Sequence, residues 1–132
     1  MAGLECHHHS VPLPNAMPPL SAVRALVTEL TADLPTETGE DLLLVVTELV
    51  ANAYDHGCAP RALRLERDED QHVVIEVDDG ARDRPVLGRS RLGVNRGRGL
   101  TIVAGVAERW GVRALNAGKT VWARLRVAQP SG

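Results

Sequence analysis

The sequence predicts an α+β domain, a two-layer sandwich in which helices cover one face of a sheet. Three observations lead there. Two apolar stretches with helical spacing come first, two pairs of strand-like stretches follow, and a third helical stretch lies between the pairs. At 132 residues, with 44% hydrophobic and 24% charged residues, one core can form without metal or disulfide support.

Residues 1–10 read as a disordered tail, residues 11–127 as the domain and residues 128–132 as a second tail. The cluster Cys6, His7, His8, His9 lacks the spacing that closes a site around one ion. In SVPLPNAMPP one short edge strand fits at Val11 to Leu13, because the prolines forbid a central strand. Leu20 to Leu34 then reads as a helix with Ser21 as its cap and Val23, Leu26, Val27, Leu30 and Leu34 at helical spacing, ended by Pro35. Thr38 is the cap candidate for a second helix from Gly39 or Glu40 to His56, stopped by Gly57, with Leu42, Leu43, Val46, Leu49, Val50 and Ala53 facing the core.

Arg61 to Arg67 and His72 to Asp78 read as a hairpin around the acidic turn Asp68 to Gln71. From Asp79 to Gly97 no period survives, and a loop of that length in a small domain is functional or disordered. Gly99 to Glu108 resumes as a helix with Leu100, Val103, Ala104 and Ala107 inward. Val112 to Leu115 and Thr120 to Val127 flank the turn Asn116, Ala117, Gly118 as a second hairpin.

Composition narrows the function classes. Aromatic residues make up 2% of the chain, with no Phe, so stacking on bases is a poor binding mode. A formal net charge of −2 leaves no global attraction for nucleic acid or an anionic membrane. No apolar segment of membrane-spanning length and no signal-peptide pattern occurs, which with two cysteines leads us to expect a reduced, cytoplasmic setting. Charge is concentrated locally: Arg82, Arg84, Arg89, Arg91, Arg96 and Arg98 face the single acid Asp83, a stretch suited to phosphate.

The segment ELVANAYDHG carries the chemistry. Helical spacing places Glu48, Asn52 and His56 on one face, next to the apolar run Leu42 to Val46. A carboxamide oxygen is a neutral hard ligand suited to Mg²⁺, and a carboxylate one turn away can take the proton of a hydroxyl nucleophile. Asp78, Asp79 and Gly80 close an apolar strand, where a carboxylate can accept a hydrogen bond from the exocyclic amine of adenine. Gly97 and Gly99 of GRGL open a helix, where backbone N–H groups can approach an anion. The chain has no GxxxxGK[ST] phosphate loop, and no strand feeds GRGL within a βαβ unit. Each segment alone has a plainer reading, as a polar helix stripe, an Asp-Gly turn or a flexible joint; their order along one chain is what speaks against it.

In that order the chain resembles the ATP-binding domain shared by gyrase and histidine kinases, the Bergerat-fold superfamily, and within it the stand-alone bacterial anti-sigma-factor serine/threonine kinases. The resemblance runs from Val11 to Val127. It implies a mixed, mostly antiparallel sheet with helices on one face, and ATP with Mg²⁺ as cofactors. ELVANAYDHG resembles the family's helix motif, implying that Asn52 holds Mg²⁺ and Glu48 is the catalytic base. VIEVDDG resembles the first glycine box, implying that Asp79, or its neighbour Asp78, binds adenine beside Gly80; Ala81 stands where many relatives have a second glycine. GRGLTIV resembles the second glycine box, implying a phosphate wall from Gly97, Arg98, Gly99 and Leu100. GKTVWARL resembles the last paired strand, implying that Thr120 assists Asp79. His56 matches a histidine often found in the helix motif, although a helix C-terminus accounts for it equally well. The implied partner is a protein, a sigma factor or an anti-sigma-factor antagonist, with no direct nucleic acid and no membrane, and with room for a homodimer. A nucleotide-gated binding module without phosphoryl transfer is the alternative; it has no need of Glu48, which is present.

Overall fold

A computed structural model describes residues 8–68, 70–81 and 98–128, with only the backbone at Arg98 and Gly99. The elements run β1 (His8–Leu13), α1 (Leu20–Leu30), α2 (Thr36–His56), β2 (Arg61–Arg67), β3 (His72–Asp79), α3 (Arg98–Val106), β4 (Arg109–Leu115) and β5 (Gly118–Arg126). The five strands form one sheet in the order β1-β2-β3-β5-β4, and each of its four pairings is antiparallel. The expected two-layer α+β sandwich is therefore present.

The core follows from two periodicities. Along β3, exposure alternates without a break, so Val73, Ile75, Val77 and Asp79 point to one face and His72, Val74, Glu76 and Asp78 to the other. Val121, Ala123 and Leu125 of β5 line the same inner face, as do Leu63 and Leu65 of β2. Against it α2 lays Leu42, Val45, Val46, Leu49, Val50 and Ala53, all 2% exposed or less. Val23 and Val27 of α1 and Leu100 and Val103 of α3 complete the cluster. Both α1 and α3 pack on α2, which makes α2 the centre of the helical layer.

Arginines of β2 clamp that layer at two points. Arg61 Nε donates to the Ala53 carbonyl at 2.8 Å and its Nη2 to the Gly57 carbonyl at 3.1 Å, filling acceptors at the C-terminus of α2. Arg67 makes two 2.9 Å bonds to Asp33 in the turn between α1 and α2. The outer sheet face carries a polar network instead. Arg64 grips Asp78 with two N–H groups and reaches Glu76 at 3.2 Å, while Arg113 also binds Glu76. Burial alone pushes the Asp78 carboxyl up, but the hydrogen bonds from Arg64 and from the Thr120 hydroxyl outweigh it and hold the group below the ordinary carboxylate range.

Several expected boundaries differ. The edge strand begins at His8, inside the segment expected as a tail, and His8 Nδ1 lies 3.1 Å from Glu66 on β2. Cys6 and His7 lie outside the described residues. Helix α1 stops at Leu30; the Thr31 N–H makes the last helical bond to the Val27 carbonyl at 3.0 Å, the Thr31 hydroxyl donates to the same oxygen at 2.7 Å, and the chain then turns. Ser21 is not the cap; Pro19 precedes the helix and no side chain caps it. Likewise α2 enters from Pro35, and Thr38 lies within the helix, its buried hydroxyl accepting from the Ala128 N–H at 2.8 Å. Val45 joins the core where the sequence pointed to Leu43, which is only partly buried, and Ala104 is exposed. Strand β4 starts three residues before the expected Val112, so that Trp110 and Val112 pack inward.

Two glycines make a controlled comparison. Gly118 has φ +150°, and a Cβ built there would lie 2.1 Å from the Asp79 carbonyl oxygen, whereas one at Gly105 on the exposed side of α3 meets nothing within 4 Å. Gly118→Ala should lower unfolding stability by about 3 kcal/mol through strain and overlap. Gly105→Ala should raise it by roughly 0.5 kcal/mol through helix propensity. Urea unfolding monitored by the two tryptophans measures both.

Candidate functional site

The C-terminal half of α2, the end of β3 and the start of β5 meet at one corner of the inner layer. The close approach is set by Gly57, where a Cβ would lie 2.4 Å from Asp79 Cγ and 2.5 Å from the Ala53 carbonyl oxygen. Only a residue without a side chain lets the end of α2 reach the Asp79 carboxylate. The Asp79 backbone is held too, since Gly118 lies against its carbonyl and the Gly80 N–H donates to the Cys58 carbonyl at 2.6 Å.

Asp79 is 3% exposed and Lys119, its cross-strand partner, 1%. Lys119 Nζ donates to Asp79 Oδ1 at 3.0 Å, and the Ala81 N–H donates to the same oxygen at 2.8 Å. The other oxygen, Oδ2, is buried and has no hydrogen-bond partner among the described residues. One turn before the end of α2, Asn52 is 8% exposed, and its Nδ2 is likewise buried and unpartnered. Folded proteins seldom leave such groups unpaired, because each costs about 1–3 kcal/mol of desolvation. Among the described residues, two such atoms lie at this corner.

Glu48, one turn before Asn52, is half-buried. Burial, and then the charge of Asp55 on the same helix face, push its carboxyl above the ordinary glutamate value. A more basic carboxylate is the better proton acceptor at neutral pH.

The structure separates residues that the sequence left together. Asp78 and Asp79 point to opposite faces, and only Asp79 lies on the helix side with Asn52. Asp78 is engaged by Arg64 on the outer face. Thr120 does not assist Asp79: the register pairs it with Asp78, and its hydroxyl donates to Asp78 Oδ1 at 2.5 Å. The residue that does touch Asp79 is Lys119, which the sequence reading passed over. Its signal was present, since Lys119, Val121, Ala123 and Leu125 form one period-two series that turns the lysine inward. Leu100, in the first turn of α3, places its side chain in the core, 3% exposed. Arg98 and Gly99 begin α3, while Gly97 and the arginines from Arg82 to Arg96 lie outside the described residues. His56 ends α2, half-buried. Among the described residues no group of three His, Cys, Asp or Glu side chains gathers to hold a metal ion, and no helix is long and apolar enough to cross a membrane.

Comparison with known proteins bears on this corner. Residues 13–125 match the family described as Histidine kinase-like ATPase domain. Among solved structures, the chain is similar to the RsbU and RsbW domains of Rv1364c from Mycobacterium tuberculosis, with a TM-score of 0.66 and 19% identity over 95% of this chain and 33% of that one. It is also similar to the Erythrobacter litoralis EL346 blue-light activated histidine kinase, with a TM-score of 0.57 and 20% identity over 82% of this chain and 40% of that one. The isolated histidine kinase domain of the latter gives 0.53 and 20% over 82% of this chain and 59% of that one. The chain thus spans between a third and three-fifths of the proteins it resembles, and at these identities the likeness is one of fold. No curated protein matches the chain. The match over residues 13–125 takes in every element that builds the corner, and the chain belongs to the histidine kinase-like ATPase domain family.

Proposed function

We propose that the protein binds Mg-ATP between α2 and the inner ends of β3 and β5, and transfers the terminal phosphoryl group to a serine or threonine hydroxyl of a protein partner. The observation that carries this reading is the pair of unpartnered buried groups, Asp79 Oδ2 and the Asn52 carboxamide. An exocyclic amine suits the first, since an ionised carboxylate only accepts. The second can turn its oxygen toward a cation, because rotation by half a turn exchanges the two ends of a carboxamide. Magnesium commonly takes one or two protein oxygens and completes its shell with phosphates and water, which fits a corner that offers one carboxamide and where, among the described residues, no group of three His, Cys, Asp or Glu side chains gathers. When bound it would neutralise charge on the phosphates.

Glu48 completes the reaction. Its carboxylate takes the proton of the partner's hydroxyl while that oxygen forms a bond to the terminal phosphorus and the bond to the ADP oxygen breaks. The N-terminus of α3, which begins at Arg98 and Gly99, is an element whose backbone N–H groups suit the phosphates. The likeness to a structure that contains an RsbW domain, together with the motif order, supports an anti-sigma-factor type of kinase. Its partner on this reading is a sigma factor or an antagonist protein, in the cytoplasm.

Asn52→Ala should reduce Mg-ATP binding by at least roughly tenfold, the worth of one ligand bond near 1.4 kcal/mol; wild-type affinity by calorimetry would remove Asn52 as the metal ligand. Glu48→Gln should leave ATP affinity intact and slow phosphoryl transfer by about 10²-fold or more. Unchanged transfer to a partner in a labelled-ATP assay would exclude Glu48 as base, and absence of transfer in the wild type would leave a nucleotide-gated binding module. The same variant has a stability readout. Because folding raises the Glu48 value, the ionised side chain destabilises at neutral pH, and that penalty vanishes as pH falls through the raised value. Glu48→Gln should therefore melt slightly higher than wild type near pH 7.5, by under about 1 kcal/mol after solvent screening, and this gain should disappear near pH 4.

A further inference from the structure

We propose that Lys119 sets which nucleobase the site accepts, acting as a positioning and specificity-determining residue through Asp79. The inference rests on the nucleotide-binding reading above. Lys119 and Asp79 are both buried, directly opposed across β5 and β3, and joined at 3.0 Å. With the Ala81 N–H also on Oδ1, that oxygen has two donors and the plane of the carboxylate is fixed. Oδ2 is left without a hydrogen-bond partner among the described residues.

The pair also bears on what Oδ2 can bind. A carboxylate paired with an ammonium accepts hydrogen bonds and does not donate them, so Oδ2 suits a base edge that presents an N–H group, as the exocyclic amine of adenine does, and repels an edge that presents a carbonyl oxygen, as guanine does. Without the ammonium on Oδ1, the carboxyl group is free to turn and present either oxygen. Neither Thr120 nor Asp78 can take this role, since both point to the outer face, where Asp78 is bonded to Arg64 and Thr120. Lys119 thereby fixes which oxygen meets the base and in what direction.

The test is calorimetric titration of the full chain with ATP and with GTP. Wild type should favour ATP strongly. Lys119→Met should narrow the ratio of ATP to GTP affinity by roughly tenfold or more, one tenfold step corresponding to the loss of one well-made hydrogen bond. Lys119→Arg, which keeps a cation beside Oδ1, should restore much of the ratio. Adding Lys119→Met to Asp79→Asn should leave the ratio of the single Asp79→Asn variant unchanged. A purely structural lysine would lower both affinities together, without moving the ratio, and that result would overturn the proposal. If Lys119→Met does not fold, the doubly neutral Asp79→Asn, Lys119→Met chain decides, and a wild-type ratio there overturns it as well. Failure of wild type to bind either nucleotide would instead overturn the nucleotide reading, and this inference with it.

Discussion

The buried ion pair between Asp79 and Lys119 is the constraint around which the rest of this domain is arranged. Neither charge can be left alone in a core of valine, leucine and isoleucine, so the two strands that carry them must stay in one register. That register also fixes which side chains of β3 and β5 meet α2. A slip of either strand by one residue would turn that strand's charge to the outer face and leave the other buried without its partner. The glycines at the corner serve the same pair: Gly57 lets the end of α2 come against the carboxylate, and Gly118 lets β5 begin beside the Asp79 carbonyl.

The two sheet faces do different work because of this. Outside, Arg64, Glu76, Asp78, Arg113 and Thr120 satisfy one another, and both oxygens of Asp78 are engaged. Inside, the polar groups are few, and the corner leaves one carboxylate oxygen and one carboxamide nitrogen unsatisfied. The contrast between paired charges outside and open polar atoms inside is what motivates placing a ligand on the inner face. Glu48 belongs to that face, where burial raises the basicity of its carboxylate. Packing and chemistry are thus coupled, since α2 supplies more of the core than any other element and also carries both Glu48 and Asn52.

Much of the fold was legible because its signals are periodic. Most of the core face of α2 follows from helical spacing, with Val45 taking the place expected of Leu43, and the hairpin around Gly118 follows from its turn residues. Helix starts were less legible: Ser21 and Thr38 have capping side chains in the expected places, yet Pro19 and Pro35 mark the entries and Thr38 spends its hydroxyl on Ala128. At the early stop of α1 the Thr31 hydroxyl bonds a helical carbonyl, a choice that side-chain type does not reveal.

By itself the sequence determined that a carboxylate and a carboxamide share one helix face, that an aspartate pair closes an apolar strand, and that glycines open a later helix. These follow from local periodicity, a property of neighbouring residues. Only the tertiary structure decided between Asp78 and Asp79, moved Thr120 from the latter to the former, and brought Lys119 into the site. Those outcomes depend on the register between β3 and β5, residues some forty positions apart, and a side chain's face in a sheet is settled only when its partner strand is in place.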